Sequence, residues 1–119
     1  MGNHMSRIFA AALLASLLAT GVARAAEQRG MRFWNLTQFT LTSLQFSPPG
    51  QNMWGPNQCL NDNDKTVDHD ERVLITGMAP GRYDAKLTDK SGRTCIVRNV
   101  NLTSGVSSIE EKQMTDCQK

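Results

Sequence analysis

The amino-acid sequence predicts an all-β protein, a small antiparallel β-sandwich preceded by a cleavable signal helix. Three observations support this fold class. Short segments with alternating apolar residues recur along the chain, turn residues separate them at intervals of about 8–12 residues, and helical periodicity is nearly absent after the first 25 residues.

The first 25 residues have the pattern of a secretory signal peptide. Arg7 is followed by an uncharged stretch rich in Ala and Leu, and Ala23-Arg24-Ala25 forms a small-x-small cleavage site. The apolar stretch is shorter than the roughly 20 residues that a membrane-spanning helix needs. We therefore expect a signal peptide at residues 1–25 and a single domain at residues 26–119, periplasmic or secreted, with a retained N-terminal anchor as the alternative.

Removal of the signal peptide changes the charge of the chain. It takes away Arg7 and Arg24, which leaves 11 of the 13 basic residues against 11 acidic residues and a formal net charge of zero. A neutral domain without a basic segment is not expected to bind nucleic acid or an anionic membrane surface. Neutrality also leaves self-association open.

All three cysteines, Cys59, Cys95 and Cys117, lie in the predicted mature domain. Because an exported chain meets an oxidising compartment, one disulfide is expected. The pairing Cys95–Cys117 is favoured, since both residues lie in the last two predicted strands. A strict hairpin about Ser104 would place position 113 opposite Cys95, so this pairing requires a bulge or a bend. Cys59, in a long loop, is then the odd thiol, with three alternatives: free, buried, or paired with another chain.

Six strands are predicted, and two of them carry further expectations. In the second, the apolar positions change phase, which requires a bulge near Ser43. In the fifth, Ile96, Val100 and Leu102 share one parity and are expected to face the core. Residues 107–114 have a short helix as their alternative, and residues 47–70 are expected to be a long loop without regular structure. The strands span residues 31–36, 39–46, 72–75, 82–88, 94–102 and 106–114.

Short motifs extend over most of the mature chain: Asn35-Leu36-Thr37, Ser47-Pro48 with Gly50, Trp54-Gly55-Pro56-Asn57, Pro80-Gly81, Tyr83-Asp84 and Asn99-Val100. Together they resemble a group of small exported proteins of Gram-negative bacteria with no assigned activity. Residues 80–93 also resemble a hairpin of immunoglobulin-like and prealbumin-like sandwiches. These resemblances imply a periplasmic β-sandwich of the immunoglobulin-like or prealbumin-like type and carry over no catalytic or ligand-binding residues.

The main functional candidate is the loop around Trp54. Trp54 follows Met53 and lies three residues before Asn57. An exposed Trp is an anchor for a protein partner or a sugar ring, whereas a buried Trp would cap an open end of the sandwich. We expect a non-enzymatic binding or accessory module that acts through residues 47–70, with Met53, Trp54 and Asn57 as contacts to an unknown protein or glycan.

A second candidate is a weak Ca²⁺ site formed by Asp62, Asp64, Asp68 and Asp70. Ca²⁺ takes six to eight oxygen ligands, which these aspartates and the neighbouring Glu71 can offer. The segment lacks the Gly and the Glu that complete an EF-hand loop, and Lys65 adds a repelling charge. The alternative is a solvated polar loop made of turn-forming residues.

No enzymatic site is predicted. His69 is the only histidine of the predicted mature domain, and its candidate partners are Cys59 and the neighbouring aspartates. The sequence around them has neither the spacing of a zinc site nor the context of a nucleophile elbow. A hydrolase or redox site built from Cys59 and His69 is therefore the weakest of the alternatives.

Overall fold

The computed structural model describes residues 30–119 as an all-β unit of seven strands and two 3-10 turns. The signal peptide expected at residues 1–25 lies outside the described residues. Within residues 30–119, no helix is long and apolar enough to span a membrane. The elements are β1 (Met31–Leu36), β2 (Leu41–Ser47), a 3-10 turn (Gln58–Asn61), β3 (Arg72–Ile75), β4 (Gly81–Asp89), β5 (Thr94–Leu102), β6 (Val106–Glu110), a second 3-10 turn (Glu111–Gln113) and β7 (Asp116–Gln118).

The strands form two sheets. One sheet has three strands in the order β3-β1-β6, and the other has four in the order β2-β4-β5-β7. All pairings are antiparallel except that of β1 with β6, which is parallel. The expected wholly antiparallel arrangement is wrong at this pair, because the chain crosses from β5 in one sheet to β6 in the other instead of turning back beside β5.

Apolar side chains from both sheets form one shared core. Phe33 of β1, Leu44 of β2 and Ile109 of β6 are fully buried. The rings of Phe33 and Phe46, which belong to different sheets, meet edge to face with centroids 6.5 Å apart. Burial of an apolar side chain of this size contributes roughly 1.5–3 kcal/mol to the free energy of folding. Two sheets around one core are consistent with a small β-sandwich.

The bulge expected near Ser43 is confirmed. The register of β2 against β4 shifts between Leu41 and Ser43. As a result Leu41, Leu44 and Phe46 are all buried, although they do not share one parity along the strand.

A second irregularity, in the pairing of β4 with β5, contradicts the expected inward face of β5. The register shifts between Tyr83 and Ala85, and on β5 Asn99 adopts a positive φ of 59°. The inward parity therefore changes along β5, and Ile96 is only half-buried on the side turned away from the core. The expectation that Ile96 faces the core with the later apolar residues is wrong for this reason. The core residues of β5 are Cys95, Val97, Val100 and Leu102.

The last predicted strand, residues 106–114, is broken into β6 and a 3-10 turn, so neither one long strand nor a helix over 107–114 forms. The turn carries the chain back to the four-stranded sheet, where β7 pairs with β5 and places Cys117 directly opposite Cys95. The disulfide Cys95–Cys117 is confirmed, and Cys59 is a buried free cysteine. The turn supplies the bend that this pairing required.

Candidate functional site

Residues 47–70 run along the edges of β2 and β3 and close one side of the space between the two sheets. Gly55 N–H donates to the carbonyl of Phe46 on β2 over 2.9 Å. Farther along, Leu41 and Val67 exchange backbone hydrogen bonds of 2.9 and 3.0 Å. The segment was expected to lack regular structure; instead it contains a 3-10 turn and this isolated β-bridge.

Asn57 fixes this segment to β2. Its Oδ1 accepts hydrogen bonds from the N–H groups of Leu44 and Cys59, each over 3.0 Å. Its Nδ2 donates to the carbonyl of Thr42 over 3.0 Å. The bond from Cys59 caps the 3-10 turn. Because these partners are all backbone groups of the fold, the Asn57 amide holds the loop in place.

Gln58 and Asn61 perform the equivalent role on β3, and the sequence did not single them out. The Gln58 amide exchanges two hydrogen bonds of 3.1 Å with the backbone of Thr76. Asn61 Nδ2 donates to the carbonyl of Leu74 over 2.8 Å. Side chains therefore cover polar groups that an edge strand would otherwise expose. Apolar periodicity gives no signal for such residues.

Asp84 anchors the first part of the loop. Its carboxylate accepts from Gly50 N–H over 2.8 Å, from Arg98 Nη1 over 2.8 Å and from Asn99 N–H over 3.0 Å. The Gly50 N–H, with help from Asn99 and Arg98, lowers the pKa of Asp84 below its usual value although burial acts in the opposite direction. The Asp84 carboxylate therefore holds the first part of the loop against β4 and β5.

Met53 and Trp54 take up different positions on this loop. Met53 is 66% exposed and contributes to the rim of an apolar pocket. Trp54 is half-buried and does not line that pocket; the Lys86 Nζ atom lies 5.6 Å from the centroid of its ring. Of the three predicted contacts, Met53 lines the pocket, Trp54 lies in the loop outside the pocket, and Asn57 holds the loop in place.

The pocket lies between residues 46–58 and the connection from β3 to β4, and its volume is about 240 Å³. Its polar side chains are engaged within the fold, since Gln58 binds the Thr76 backbone and the Tyr83 hydroxyl donates to the carbonyl of Ala79 over 2.7 Å. Sites for drug-sized ligands measure about 300–1,000 Å³, so this pocket has room for a smaller apolar group. The apolar walls are Phe46, Pro48, Met53, Pro56, Met78 and Tyr83.

The acidic part of the loop brings together Asp62, Asp64 and Glu71, whose oxygen atoms lie within 4.8 Å of one another. Two of the four predicted Ca²⁺ ligands lie elsewhere: Asp68 Oδ1 accepts from a threonine hydroxyl and Asp70 Oδ1 accepts from the Trp34 indole, each over 2.9 Å. Glu71, which directly precedes β3, was noted as an oxygen donor but left out of the four predicted ligands, and it belongs to the cluster.

Glu71 Oε1 is buried without a hydrogen-bond partner. Burial, together with the negative charges of Asp62, Asp68 and Asp64, raises the pKa of Glu71. A carboxylate in such surroundings gains from a bound cation, which supplies the missing partner and cancels the repulsion.

Cys59 and His69 do not form a reactive pair. Cys59 is fully buried, and burial, with the negative charges of Asp62 and Glu71, raises the pKa of its thiol to about 12. His69 is exposed, and its Nδ1 lies 2.7 Å from the carbonyl of Thr37. A thiol with so high a pKa is protonated at neutral pH and is a poor nucleophile.

No protein-family model, no curated protein and no solved structure matches the chain.

Proposed function

We propose that the protein is a non-enzymatic binding module that acts through the loop at residues 47–70, and that its contact site is the apolar pocket rimmed by Met53. The observation that carries the proposal is an open apolar pocket whose walls are held in place by hydrogen bonds of the loop to both sheets. A site fixed before binding loses little conformational entropy when a partner enters it.

The chemistry of the pocket favours a protein partner over a glycan. Sugar rings need polar groups placed for their hydroxyls, whereas Gln58 and the Tyr83 hydroxyl are already engaged within the fold. Met53 and Met78 both line the pocket. Methionine is flexible and polarizable and adapts its shape to different apolar groups. The ligand is therefore an apolar side chain presented by a polypeptide.

The proposal is tested by NMR titration of the protein with N-acetyl-L-leucinamide, with N-acetyl-L-serinamide and N-acetylglucosamine as polar comparisons. Only the leucine compound is expected to bind. Met53→Ser is expected to weaken its binding about fivefold, because part of the apolar contact is lost. Leu60→Ser is the matched control, since Leu60 is 54% exposed in the same loop and does not line the pocket.

Equal binding by the Met53 and Leu60 variants would show that the pocket is not the site. Preferential binding of the sugar would show that the partner is a glycan and would refute the assignment to an apolar side chain.

We further propose that the protein acts in the periplasm or outside the cell as an exported sandwich of the immunoglobulin-like or prealbumin-like type. The Cys95–Cys117 disulfide supports an oxidising compartment. Mass spectrometry of the protein recovered from an exporting cell tests this, since cleavage after Ala25 gives a chain that begins at Ala26.

The buried Glu71 Oε1, which has no hydrogen-bond partner, favours a second candidate function: weak binding of Ca²⁺ by Asp62, Asp64 and Glu71. Three carboxylates with completing water molecules suit a hard cation that prefers oxygen. If the site binds Ca²⁺, millimolar Ca²⁺ raises the melting temperature of the protein, and EDTA reverses the change.

Glu71→Gln separates this candidate from a solvated acidic loop. It is expected to abolish the Ca²⁺ response, and without Ca²⁺ to raise the melting temperature because it removes a buried charge that has no partner. Asp116→Asn is the control, since Asp116 is exposed on β7 and lies outside the cluster. A melting temperature indifferent to Ca²⁺ and EDTA would eliminate this function.

A further inference from the structure

The outer face of the three-stranded sheet, the side turned away from the core, carries side chains that the loop site does not use. In β1, Arg32, Trp34 and Leu36 point outward, whereas residues 31, 33 and 35 are buried. The outward residues of β3 and β6 extend this surface.

The strand register arranges these outward residues in rows across the sheet. The first row is Leu74–Arg32–Val106, the second is Arg72–Trp34–Ser108, and in the third Leu36 pairs with Glu110.

This face is partly apolar, and its central Trp is held in place. Leu74 is 37% exposed and Val106 is 47% exposed. The guanidinium carbon of Arg72 lies 4.3 Å from the centroid of the Trp34 ring, and Trp34 Nε1 donates to Asp70 Oδ1 over 2.9 Å. Trp and Arg on a rigid sheet are the residue types that contribute most to protein interfaces.

The two ends of the face carry opposite charges, basic at the first row and acidic at the third. Arg32 and Arg72 lie in the first two rows, and within residues 30–119 neither forms a salt bridge. Asp70 and Glu110 lie toward the other end. Glu110 is 3.1 Å from Lys112, but both side chains are largely exposed, so this pair is weak.

We propose that this face is the interface of a two-fold symmetric dimer, so that its occupant is a second copy of the chain. A two-fold axis along the middle row turns the second copy so that its Arg32 lies over the acidic third row of the first copy, whereas Arg72 of each copy meets its symmetry mate beside the axis, with an Asp70 carboxylate on either side. Arg32 of each copy then lies close to Glu110 and Leu36 of the other, and Leu74 and Val106 become covered.

The charge pattern favours a second copy over an acidic protein or an anionic membrane. Either of those would meet repulsion from Asp70 and Glu110, whereas the same face turned through 180° complements both ends. The formal charge of the predicted mature chain is zero, so no net repulsion opposes association.

Sedimentation equilibrium of the purified protein at low and high salt tests the proposal. The wild type is expected to dimerise, and more weakly at high salt because exposed charges are screened. Arg32→Glu and Glu110→Lys are each expected to weaken dimerisation about tenfold or more when alone, and to associate when mixed, because every cross-contact then joins opposite charges. Arg82→Glu, a reversal at an exposed position of the other sheet, is the matched control and leaves dimerisation unchanged.

Circular dichroism establishes that each variant is folded, and Asp70→Lys replaces Glu110→Lys if the latter is unfolded. A monomeric wild type, or two variants that do not associate on mixing, would overturn the proposal. So would a monomer whose Arg32 is needed for binding to phosphatidylglycerol vesicles, since that result identifies a membrane as the occupant.

Discussion

At the scale of single residues, Asp84 holds the first part of the loop against β4 and β5. It is 2% exposed and accepts hydrogen bonds from two backbone N–H groups and one guanidinium. Its folded-state pKa is lowered, chiefly by Gly50 N–H. Such a group contributes stability above its unfolded pKa, about 3.9, and that contribution is lost as the pH falls through the folded pKa.

Asp84→Asn is therefore expected to lower the free energy of unfolding by about 2 kcal/mol at pH 7, because charged hydrogen bonds are replaced by weaker ones. Urea unfolding curves measured at several pH values test this. The difference from the wild type should shrink as the pH falls below about 4, the pKa of this carboxyl in the unfolded chain, and be lost as the pH falls through its lower folded-state pKa. Asp116→Asn, at an exposed position of β7, is the control. A difference that stays constant down to pH 2 would contradict this role.

Some residue-scale features were not predictable from the sequence. The Met53 and Trp54 loop was identified because an aromatic residue in a long connection is uncommon. Gln58 was not identified, and Glu71 was noted as an oxygen donor but left out of the four predicted ligands, because their roles depend on which strand edge and which carboxylates the fold brings beside them. The role of Asp84 was not identified either, because Gly50, Arg98 and Asn99 are brought beside its carboxylate only by the fold.

At the scale of elements, the C-terminal part of the chain shows where the alternation of apolar and polar residues no longer predicts the strands correctly. Alternation predicted β1, β3 and most of β4 and β5 within a residue or two, since each has one face in the core. Residues 106–114 were read as one strand, because nothing in the alternation marks a change of sheet at Glu110. The disulfide expectation was nevertheless correct, since it required the bend that the 3-10 turn provides.

The disulfide is expected to hold β7, which has only three residues, against β5. Replacing both Cys95 and Cys117 by Ala should lower the free energy of unfolding by about 3 kcal/mol, as expected for a loop with a sequence separation of 22. Amide hydrogen exchange should show loss of protection in β7 while β1 and β3 keep theirs. Retained protection in β7 would mean that strand pairing alone holds this element.

At the scale of the whole molecule, one loop joins the two sheets and also forms the pocket. Asn57 binds the edge of β2, and Gln58, the next residue, binds the backbone that follows β3. Stability and binding therefore belong to different side chains of the same segment, since Met53 faces the pocket and contributes little to the core.

Asn57→Ala is expected to lower the free energy of unfolding by about 2 kcal/mol, because it leaves backbone groups of β2 without partners. Met53→Ser and the exposed Asn63→Ala should each change it by less than about 0.5 kcal/mol. Denaturant unfolding of the three variants makes the comparison. An equal loss in the Asn57 and Asn63 variants would show that the loop is not fixed through Asn57.

The most direct test of the binding site is the residue-by-residue map of amide NMR shifts in the wild-type protein as N-acetyl-L-leucinamide is added. We predict that the amides of residues 46–58 and 76–83, which surround the pocket, move together along one binding curve. Shifts confined to residues 61–71 or to the outer face of the three-stranded sheet, or no shifts at millimolar ligand, would contradict the assignment of the pocket as the contact site.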